Sequence, residues 1–402
     1  MRILAIETSC DDTCSAILEV KNKKFKVLSN IVSSQVKLHQ KYGGVYPSLA
    51  KREHQKNLVP VLKKVLKESG FLNPKSKILI SKQIQNSKFK TLSSILERES
   101  ELLKQSSSFL EKYQKPKIDA IAVTIGPGLE PCLWVGVNFA RALGYFWSLP
   151  IIPVNHIEAH ILVNFINRER VLNNKQLFPA ICLVVSGGHT QLILMKNFGK
   201  YKILGETRDD AAGECLDKTA RILGLSYPGG PAIAACAAKA TKYTTPPPPQ
   251  AWGGPASPWL PRPMINSKDY DFSFSGLKTA VLYEFRKQPQ KVRNSEKYIR
   301  EMAQEIQRAV IDVLIKKTLA AAKNYKAKTI ILGGGVTANE ELREQFNYKL
   351  STINYKLNFL VPPQDFCTDN ALMTAIAGYY HRLKKETKDW INIKVDANLG
   401  LK

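Results

Sequence analysis

The sequence is short of acidic side chains and has no segment typical of a membrane or secreted protein. Its 402 residues include 34 Asp and Glu against 59 Lys and Arg, a formal net charge of +25. No apolar run approaches the roughly 18–20 residues of a membrane-spanning helix. The charged Glu7 inside the first apolar stretch argues against a signal peptide. The positive charge favours a polyanionic partner, either nucleic acid or an anionic membrane surface, and a lysine-rich proteome is the alternative explanation.

Cysteine pairs at redox or metal-binding spacing are also missing. The seven cysteines, at positions 10, 14, 132, 182, 215, 236 and 367, are an odd number and form no CxxC motif. Scattered cysteines in apolar segments are typical of reduced thiols and not of a disulfide framework. We therefore expect a cytoplasmic protein without a membrane anchor.

What the sequence does contain is a weak internal repeat. Residues 2–31 are predicted to form three strands (RILAIETS, SAILEV, FKVLSN), and residues 180–206 repeat the plan (AICLVVS, TQLILM, YKILGE). Each half continues through helical patterns to a strand that ends in glycines, at 118–128 and at 328–336. Two such βββαβα halves predict an α/β protein with the two-domain fold of actin-like ATPases, Hsp70 and sugar kinases, in which each half is ribonuclease-H-like. In this fold the ligand is expected in the cleft between the two domains.

The repeat also predicts where the two domains lie in the chain. We expect an N-terminal half at 1–178 and a C-terminal half at 179–402, with the last helix packing back on the first half. Residues 73–117, rich in Lys and Ser, are predicted to be a solvated surface excursion that is helical around 91–113. Residues 244–263 hold too many prolines for a regular element, because proline lacks an N–H donor and has a fixed φ. The two tryptophans of this loop are expected to anchor it to the body, with a partner contact as the alternative.

A pair of histidines is the first candidate for chemistry. His156 and His160 follow the strand IIPVN and lie one helical turn apart, so their imidazoles can share a metal ion. An HxxxH pair alone is weak evidence, because core and surface histidines are commoner. A zinc protease needs glutamate directly after the first histidine, and Ile157 stands there, which excludes that class. Asp369 would complete a two-histidine, one-carboxylate site, which suits iron(II) with zinc as the close competitor; a helix N-cap is its alternative role.

Two glycine turns are the second candidate. Residues 184–190 (VVSGGHT) are a strand that runs into a glycine turn, and GGGVTAN at 333–339 is the matching turn of the later strand. Glycines let the backbone present N–H groups to phosphate oxygens, although 184–190 could equally be an ordinary hairpin. Residues 209–220 are predicted to open a helix that ends near 227–231. A carboxylate there could bind ribose hydroxyls beside Gly230, or it could only stabilise the helix dipole.

Taken together, these motifs resemble a known family. The stretches IETSCDDT, KYGGVYPSLAKREH, NHIEAH, VSGGHTQL, DDAAGECLDKTARILGLSYPGGP and CTDNA look like the universal tRNA threonylcarbamoyltransferase family in its bacterial form. The resemblance covers nearly the whole chain apart from the two insertions. It implies transfer of a threonylcarbamoyl group from threonylcarbamoyl-AMP to the exocyclic amine of the adenosine 3′ to the anticodon, in tRNAs that read codons beginning with adenine, with release of AMP.

The resemblance also implies roles for particular residues. His156, His160 and Asp369 would bind one divalent metal ion per subunit, Fe²⁺ in preference to Zn²⁺. The adenylate would be bound by residues of the two glycine turns and the helix between them, namely Val184, Val185, Ser186, Gly187, Gly188, His189, Asp217, Gly230 and Asn339. Asp11 and His189 would lie close to the reacting group. Asp11 is our candidate for the proton acceptor, and hydrogen bonding to its own turn is its alternative role.

Partners follow from the same resemblance. Besides tRNA, the bacterial family works with a paralogous scaffold subunit that lacks the metal site, an ATPase subunit and a separate enzyme that makes the adenylate. Two other functions fit the fold. A small-molecule kinase would not need His156 and His160, and a non-catalytic scaffold paralogue should lack both the histidine pair and the VSGGH turn.

Overall fold

The structure is a computed structural model that describes residues 1–75, 82–166, 174–240, 260–354 and 356–401. Residues 244–259 of the predicted proline-rich loop, with both of its tryptophans, lie outside this range. Within it the strands are Arg2–Glu7 (β1), Asp12–Lys21 (β2), Lys24–Ser34 (β3), Ala120–Gly126 (β4), Ile151–Asn155 (β5), Ala180–Val185 (β6), Thr190–Asn197 (β7), Lys200–Glu206 (β8), Thr329–Gly333 (β9) and Asn358–Leu360 (β10).

These strands form two five-stranded sheets of equivalent topology. The first has the order β3-β2-β1-β4-β5 and the second the order β10-β9-β6-β7-β8. In each sheet the first strand pairs antiparallel with the hairpin strand on one side and parallel with the later strand on the other. β1 and β6 are almost wholly buried, as their continuous apolar sequences predict for central strands. This is the actin-like, sugar-kinase topology, so the predicted fold class is confirmed.

Helices connect and cover the strands. Those in the described residues are Val36–His39 (α1), Pro47–Glu68 (α2), Lys82–Ile95 (α3), Ser100–Lys112 (α4), Glu130–Trp147 (α5), His156–Leu162 (α6), Asn174–Leu177 (α7), Ala212–Ile222 (α8), Gly229–Ala237 (α9), Ser275–Lys287 (α10), Gln290–Arg293 (α11), Glu296–Asn324 (α12), Glu340–Ser351 (α13) and Ala371–Leu383 (α14). None of these helices has the length and apolarity needed to cross a bilayer.

By their internal contacts the residues divide into two compact units. Residues 1–171 and 368–401 form the first unit, and residues 172–367 form the second. α14 follows the second half in sequence but packs on β1 and β2 of the first sheet. Its Gly378 comes so close to β4 that a side-chain Cβ there would lie 2.7 Å from the Cβ of Ala122. The predicted boundary at 178 and the cleft between the halves stay predictions.

The lysine-rich insertion is more than a surface excursion, so that prediction was wrong for its described residues. Helices α3 and α4 are amphipathic, and their apolar faces belong to the hydrophobic core of the first unit. Leu92, Leu102 and Phe109 are buried there, while Lys104 and Ser108 on the opposite side of α4 are exposed. Composition hid this arrangement, because the lysines and serines outnumber the few apolar residues that decide the packing.

Candidate active site

The helix α6 brings the two histidines to one place. β5 ends at Asn155, whose side-chain oxygen accepts hydrogen bonds from the backbone N–H groups of Ile157 and Glu158, at 2.8 and 3.2 Å. This N-cap starts the helix directly after the buried strand, as the sequence predicts. His156 and His160 are therefore one turn apart, with ring centroids 4.6 Å apart, and both are buried.

Asp369 completes a cluster with these histidines. Its Oδ1 lies 3.2 Å from Nε2 of His160 and 3.6 Å from Nε2 of His156. The ligand atoms that the three residues offer all lie within 4.8 Å of one another, the geometry of a possible metal site. The alternative role of Asp369 as an N-cap is taken by its neighbour, because Asn370 accepts the hydrogen bond from Met373 N–H that caps α14.

A second layer of polar groups orients His156. Its Nδ1 lies 3.3 Å from Oε2 of Glu7 and 3.1 Å from the hydroxyl of Ser9. Glu7 is completely buried at the end of β1, and its Oε2 also accepts a hydrogen bond of 2.5 Å from Thr124. A carboxylate on one ring nitrogen leaves the other nitrogen to face a metal, which is the common support of metal-binding histidines. The donor set and its support therefore fit a divalent ion such as Fe²⁺ or Zn²⁺.

The charges around the cluster favour protonation of His156 but not of His160. Burial alone would lower the pKa of His156, but the carboxylates of Asp369 and Glu7 outweigh it and raise that pKa to about 9. The pKa of His160 is lowered, first by its burial. Burial would raise the pKa of Glu7, but the nearby His156 imidazole lowers it overall. The buried carboxylate of Glu7 and the half-buried carboxylate of Asp369, beside two imidazoles, thus form a negative site in which a cation is stabilised.

The turn after β1 carries Asp11. His54 of α2 supports this turn, since its Nε2 donates to the carbonyl of Cys10 at 2.9 Å and its Nδ1 accepts from the Thr13 hydroxyl at 2.8 Å. Burial raises the pKa of Asp11, and the charge of Asp369 raises it further. The carboxylate also accepts hydrogen bonds from the Cys10 thiol and from its own backbone N–H. Both predicted roles of Asp11, proton acceptor and turn partner, are compatible with this geometry.

The VSGGH segment forms a tight turn between β6 and β7. Ser186 N–H donates to the carbonyl of His189 at 2.8 Å, and His189 N–H donates to the Ser186 hydroxyl at 3.1 Å. Gly187 and Gly188 are exposed, and no atom lies within 4 Å of the place where a Cβ would be. Neither has a positive φ. Packing and conformation inside this chain therefore do not require glycine at these two positions.

The other residues predicted to bind the adenylate have structural partners. Asp217 lies on α8 and accepts a 2.6 Å hydrogen bond from Gly229 N–H at the start of α9, next to Gly230. Asn339 caps α13 through Leu342 N–H and donates to Gln307 at 2.9 Å. The prediction of one helix ending near 227–231 was wrong. α8 ends at Ile222, and the 227–231 segment instead begins α9 because Pro228 is its N-cap.

The side chains of Val184 and Val185 are buried in the second sheet. Any ligand contact that these two residues make must therefore use their backbone. Asp11 and the cluster of His156, His160 and Asp369 belong to the first unit. The residues predicted to bind the adenylate belong to the second unit.

Most of the chain matches the model of a known protein family. The family model described as TsaD, tRNA N6-adenosine threonylcarbamoyltransferase, matches residues 26–78 and 95–376. The chain belongs to the TsaD family. The matched residues contain the histidine pair, Asp369 and both glycine turns, so the predicted family is confirmed.

Relatives in the TsaD family match along nearly the full length. The tRNA N6-adenosine threonylcarbamoyltransferase of Syntrophomonas wolfei is 41% identical over 94% of this chain and 92% of its own. That of Thermosipho melanesiensis is 40% identical over 100% of both chains. A solved structure, the ROK hexokinase from Thermus thermophilus, is 13% identical over 96% of this chain and 100% of its own, with a TM-score of 0.42 that is too low to bear on function.

Reading the sequence alone missed the layer behind the TsaD-family histidines. Glu7 and Ser9 support His156, and Thr124 supports Glu7, but none of the three was predicted to belong to a site. A signal for Glu7 was present, since it is the one carboxylate in the apolar strand RILAIE. A buried charge in a central strand needs a partner, and its partner here is a histidine.

Proposed function

We propose that this chain transfers a threonylcarbamoyl group to the exocyclic amine of an adenosine in tRNA. Membership of the TsaD family supports the reaction class. The observation that carries the proposal at the level of residues is the convergence of His156, His160 and Asp369 within 4.8 Å. The donor is threonylcarbamoyl-AMP, the acceptor is the adenosine 3′ to the anticodon in tRNAs that read codons beginning with adenine, and AMP is released.

The metal ion of this reaction would be held by His156, His160 and Asp369. Two imidazoles and one carboxylate with open positions suit Fe²⁺, with Zn²⁺ as the competitor. When bound, the ion supplies Lewis acidity and orients an oxygen of the donor. Glu7 and Ser9 hold the ring of His156 in the orientation that this requires.

The adenylate would bind at the turns of the second unit. The exposed glycines of the 186–189 turn leave room for a phosphate to approach the backbone N–H groups. The Asp217 carboxylate lies beside Gly229 and Gly230 at the start of α9, where it would accept hydrogen bonds from the ribose hydroxyls while Gly230 allows the nucleotide to approach. In this proposal Asn339 and His189, with the backbone of Val184 and Val185, complete the adenylate site.

The chemistry must compensate for a weak nucleophile. The exocyclic amine of adenine has its lone pair delocalised into the ring, so orientation of the reactants has to supply much of the rate. Holding two reactants in place can contribute about 7–11 kcal/mol. Asp11, buried enough for its pKa to be raised, takes the amine proton as the new carbamoyl C–N bond forms and AMP leaves.

The net charge of +25 suits a tRNA substrate held by its phosphate backbone, with an affinity that falls steeply with salt. The acceptor base lies in a single-stranded loop and can be turned out without breaking a pair. In this proposal the enzyme is cytoplasmic. It acts with a paralogous scaffold subunit, an ATPase subunit and a separate enzyme that makes the adenylate.

The test is incubation of the purified chain and these partners with tRNA and labelled threonylcarbamoyl-AMP, followed by identification of the modified nucleoside. We expect label on one adenosine, together with release of AMP. His160→Ala in the same mixture should abolish the label. A product formed from ATP and a sugar, with ADP and without labelled tRNA, would point instead to a kinase.

A further inference from the structure

Two tyrosines form an exposed stacked pair in the first unit. The rings of Tyr42 and Tyr46 have centroids 5.9 Å apart and planes inclined by 26°, and the residues are 61% and 56% exposed. Between them the chain turns at Gly43, whose φ of 66° is in the left-handed region. Large, solvent-exposed aromatic surfaces on a structured turn are typical of sites that bind a planar group by stacking.

The surroundings of the pair are basic. Residues 35–52 contain no Asp or Glu, and Lys37, Lys41 and Arg52 are exposed. Aromatic rings on which bases stack, together with cations that follow the phosphate backbone, are the usual chemistry of single-stranded nucleic acid binding. A segment that has exposed cations and no acidic residue favours the polyanionic backbone of a nucleic acid over a protein partner.

Hydrogen bonds connect this tyrosine turn to the turn of Asp11. The Tyr46 N–H donates to Nδ1 of His39 at 3.2 Å, and Nε2 of His39 donates to the side chain of Gln35 at 3.1 Å. Gln35 N–H in turn donates to the carbonyl of Asp11 at 3.2 Å. His39 and Gln35 are buried, so the connection is sheltered from water. The backbone of Tyr46 is therefore connected through three hydrogen bonds to the backbone of the proposed proton acceptor.

We propose that Tyr42 and Tyr46 are a stacking platform for an unpaired base of the tRNA anticodon loop that neighbours the acceptor adenosine. This inference rests on the proposed function, because it is that reaction which brings the loop to Asp11. An acceptor base turned out of its loop leaves a neighbour without a stacking partner, and the tyrosine rings replace that partner. Tyr42 and Tyr46 act here as positioning residues, since they would touch the loop and not the reacting atoms.

The test uses the full chain and an anticodon stem-loop RNA that carries 2-aminopurine next to the acceptor adenosine. Stacking on a tyrosine quenches the fluorescence of this base, so wild-type protein should quench it on binding. Tyr42→Ala and Tyr46→Ala should each lose the quenching and weaken RNA binding by roughly 5- to 150-fold. Tyr42→Phe and Tyr46→Phe keep the ring and should behave as wild type. Tyr348→Ala, at a tyrosine that is 62% exposed in the second unit, is the matched control and should change neither signal.

Three results would overturn the platform. They are unchanged affinity and quenching in the alanine variants, the same loss in Tyr348→Ala, and no binding of the RNA by wild type at low salt. Loss in the phenylalanine variants as well would assign the effect to the hydroxyl groups and would also contradict stacking. Failure of the proposed function gives a different pattern, in which the RNA binds and is quenched but no threonylcarbamoyl group is transferred.

Discussion

The turn after β1 and the turn after β6 hold the same place in two sheets of one topology, yet they differ in the kind of residue they contain. The first follows the buried Glu7 and contains Thr8 and Ser9, which are buried as well. The second contains Gly187 and Gly188, which are exposed and have no neighbour where a side chain would be. One turn is lined with buried polar side chains, and the other presents bare backbone.

This difference matches the charge that each turn can accommodate. Buried carboxylates near imidazoles stabilise a cation, whereas backbone N–H groups without side chains stabilise an anion. The shared topology gives the two turns equivalent positions in their sheets, and the groups that surround each turn determine the sign of the charge that is stabilised there.

Removal of a metal ligand should have the largest effect. His160→Ala or Asp369→Ala leaves the proposed cation site with two ligands, so bound metal should be lost and transfer should fall by more than about 100-fold. Metal content by elemental analysis and transfer to tRNA are the two measurements. Asp365→Ala, at an exposed carboxylate four residues earlier, should leave both unchanged. Normal transfer by metal-free Asp369→Ala protein would show that the reaction does not need an ion at this cluster.

Acidification should weaken the support of the first turn. Burial lowers the pKa of His54 from 6.5 to about 4, so below pH 6.5 the unfolded chain takes up a proton that the folded chain does not. Its contribution to stability is therefore complete above pH 6.5 and is lost as the pH falls towards 4, a change of about 3 kcal/mol in the free energy of unfolding. Urea unfolding across this range should show a smaller pH dependence in His54→Gln than in wild type. Equal slopes would show that another group is responsible.

Loss of the charge behind His156 should have an intermediate effect. Glu7→Gln keeps the size of the side chain but removes the carboxylate that orients the imidazole, so metal affinity should fall by about 10- to 100-fold while the fold survives. Competition with a chelator measures the affinity. Glu99→Gln, at another buried carboxylate of the first unit that is bonded to Asn138, should bind metal as wild type does. A similar loss in both variants would indicate a general effect of buried charge.

The second turn should respond most mildly. Gly187→Ala adds a methyl group in open space, so thermal stability should not change, but adenylate affinity should fall by about tenfold as one backbone hydrogen bond is obstructed. Gly334→Ala is the contrasting variant, because its φ of +89° and a Cβ only 2.4 Å from the Val185 carbonyl oxygen should make it unstable. Calorimetry and thermal unfolding separate the two effects. Unchanged adenylate affinity in Gly187→Ala would show that the backbone of this turn does not bind the adenylate.

Much of the fold could be predicted from local sequence patterns, because apolar runs and their repetition identify the central strands. β1 and β6 lie where the two copies of the repeat predict them, and α6 begins at His156 as the preceding strand indicates. Packing that depends on a few apolar residues within a polar segment could not be predicted from the sequence. Leu102 and Phe109 draw the lysine-rich insertion into the core, and composition concealed them.

The site shows the same limit. Helical spacing predicts that His156 and His160 lie close together, because four residues make about one turn. No spacing rule connects them with Asp369, more than two hundred residues later. Asp369 was a candidate ligand because it is a carboxylate at the start of a predicted helix, and the family resemblance then implied the same role. Glu7 and Ser9 were overlooked because their role depends on the pairing of β1 with β4, which carries Thr124, and no local pattern reveals that pairing.

The position of Asp369 and α14 in the chain has a consequence for biosynthesis. The first sheet is made early, but the helix that covers it and the third member of the metal cluster are encoded after the whole second half. A nascent chain stalled during translation of the second half would carry both histidines and an unprotected apolar sheet face, but not Asp369. Binding of the proposed ion by all three residues therefore has to follow synthesis of almost the entire polypeptide.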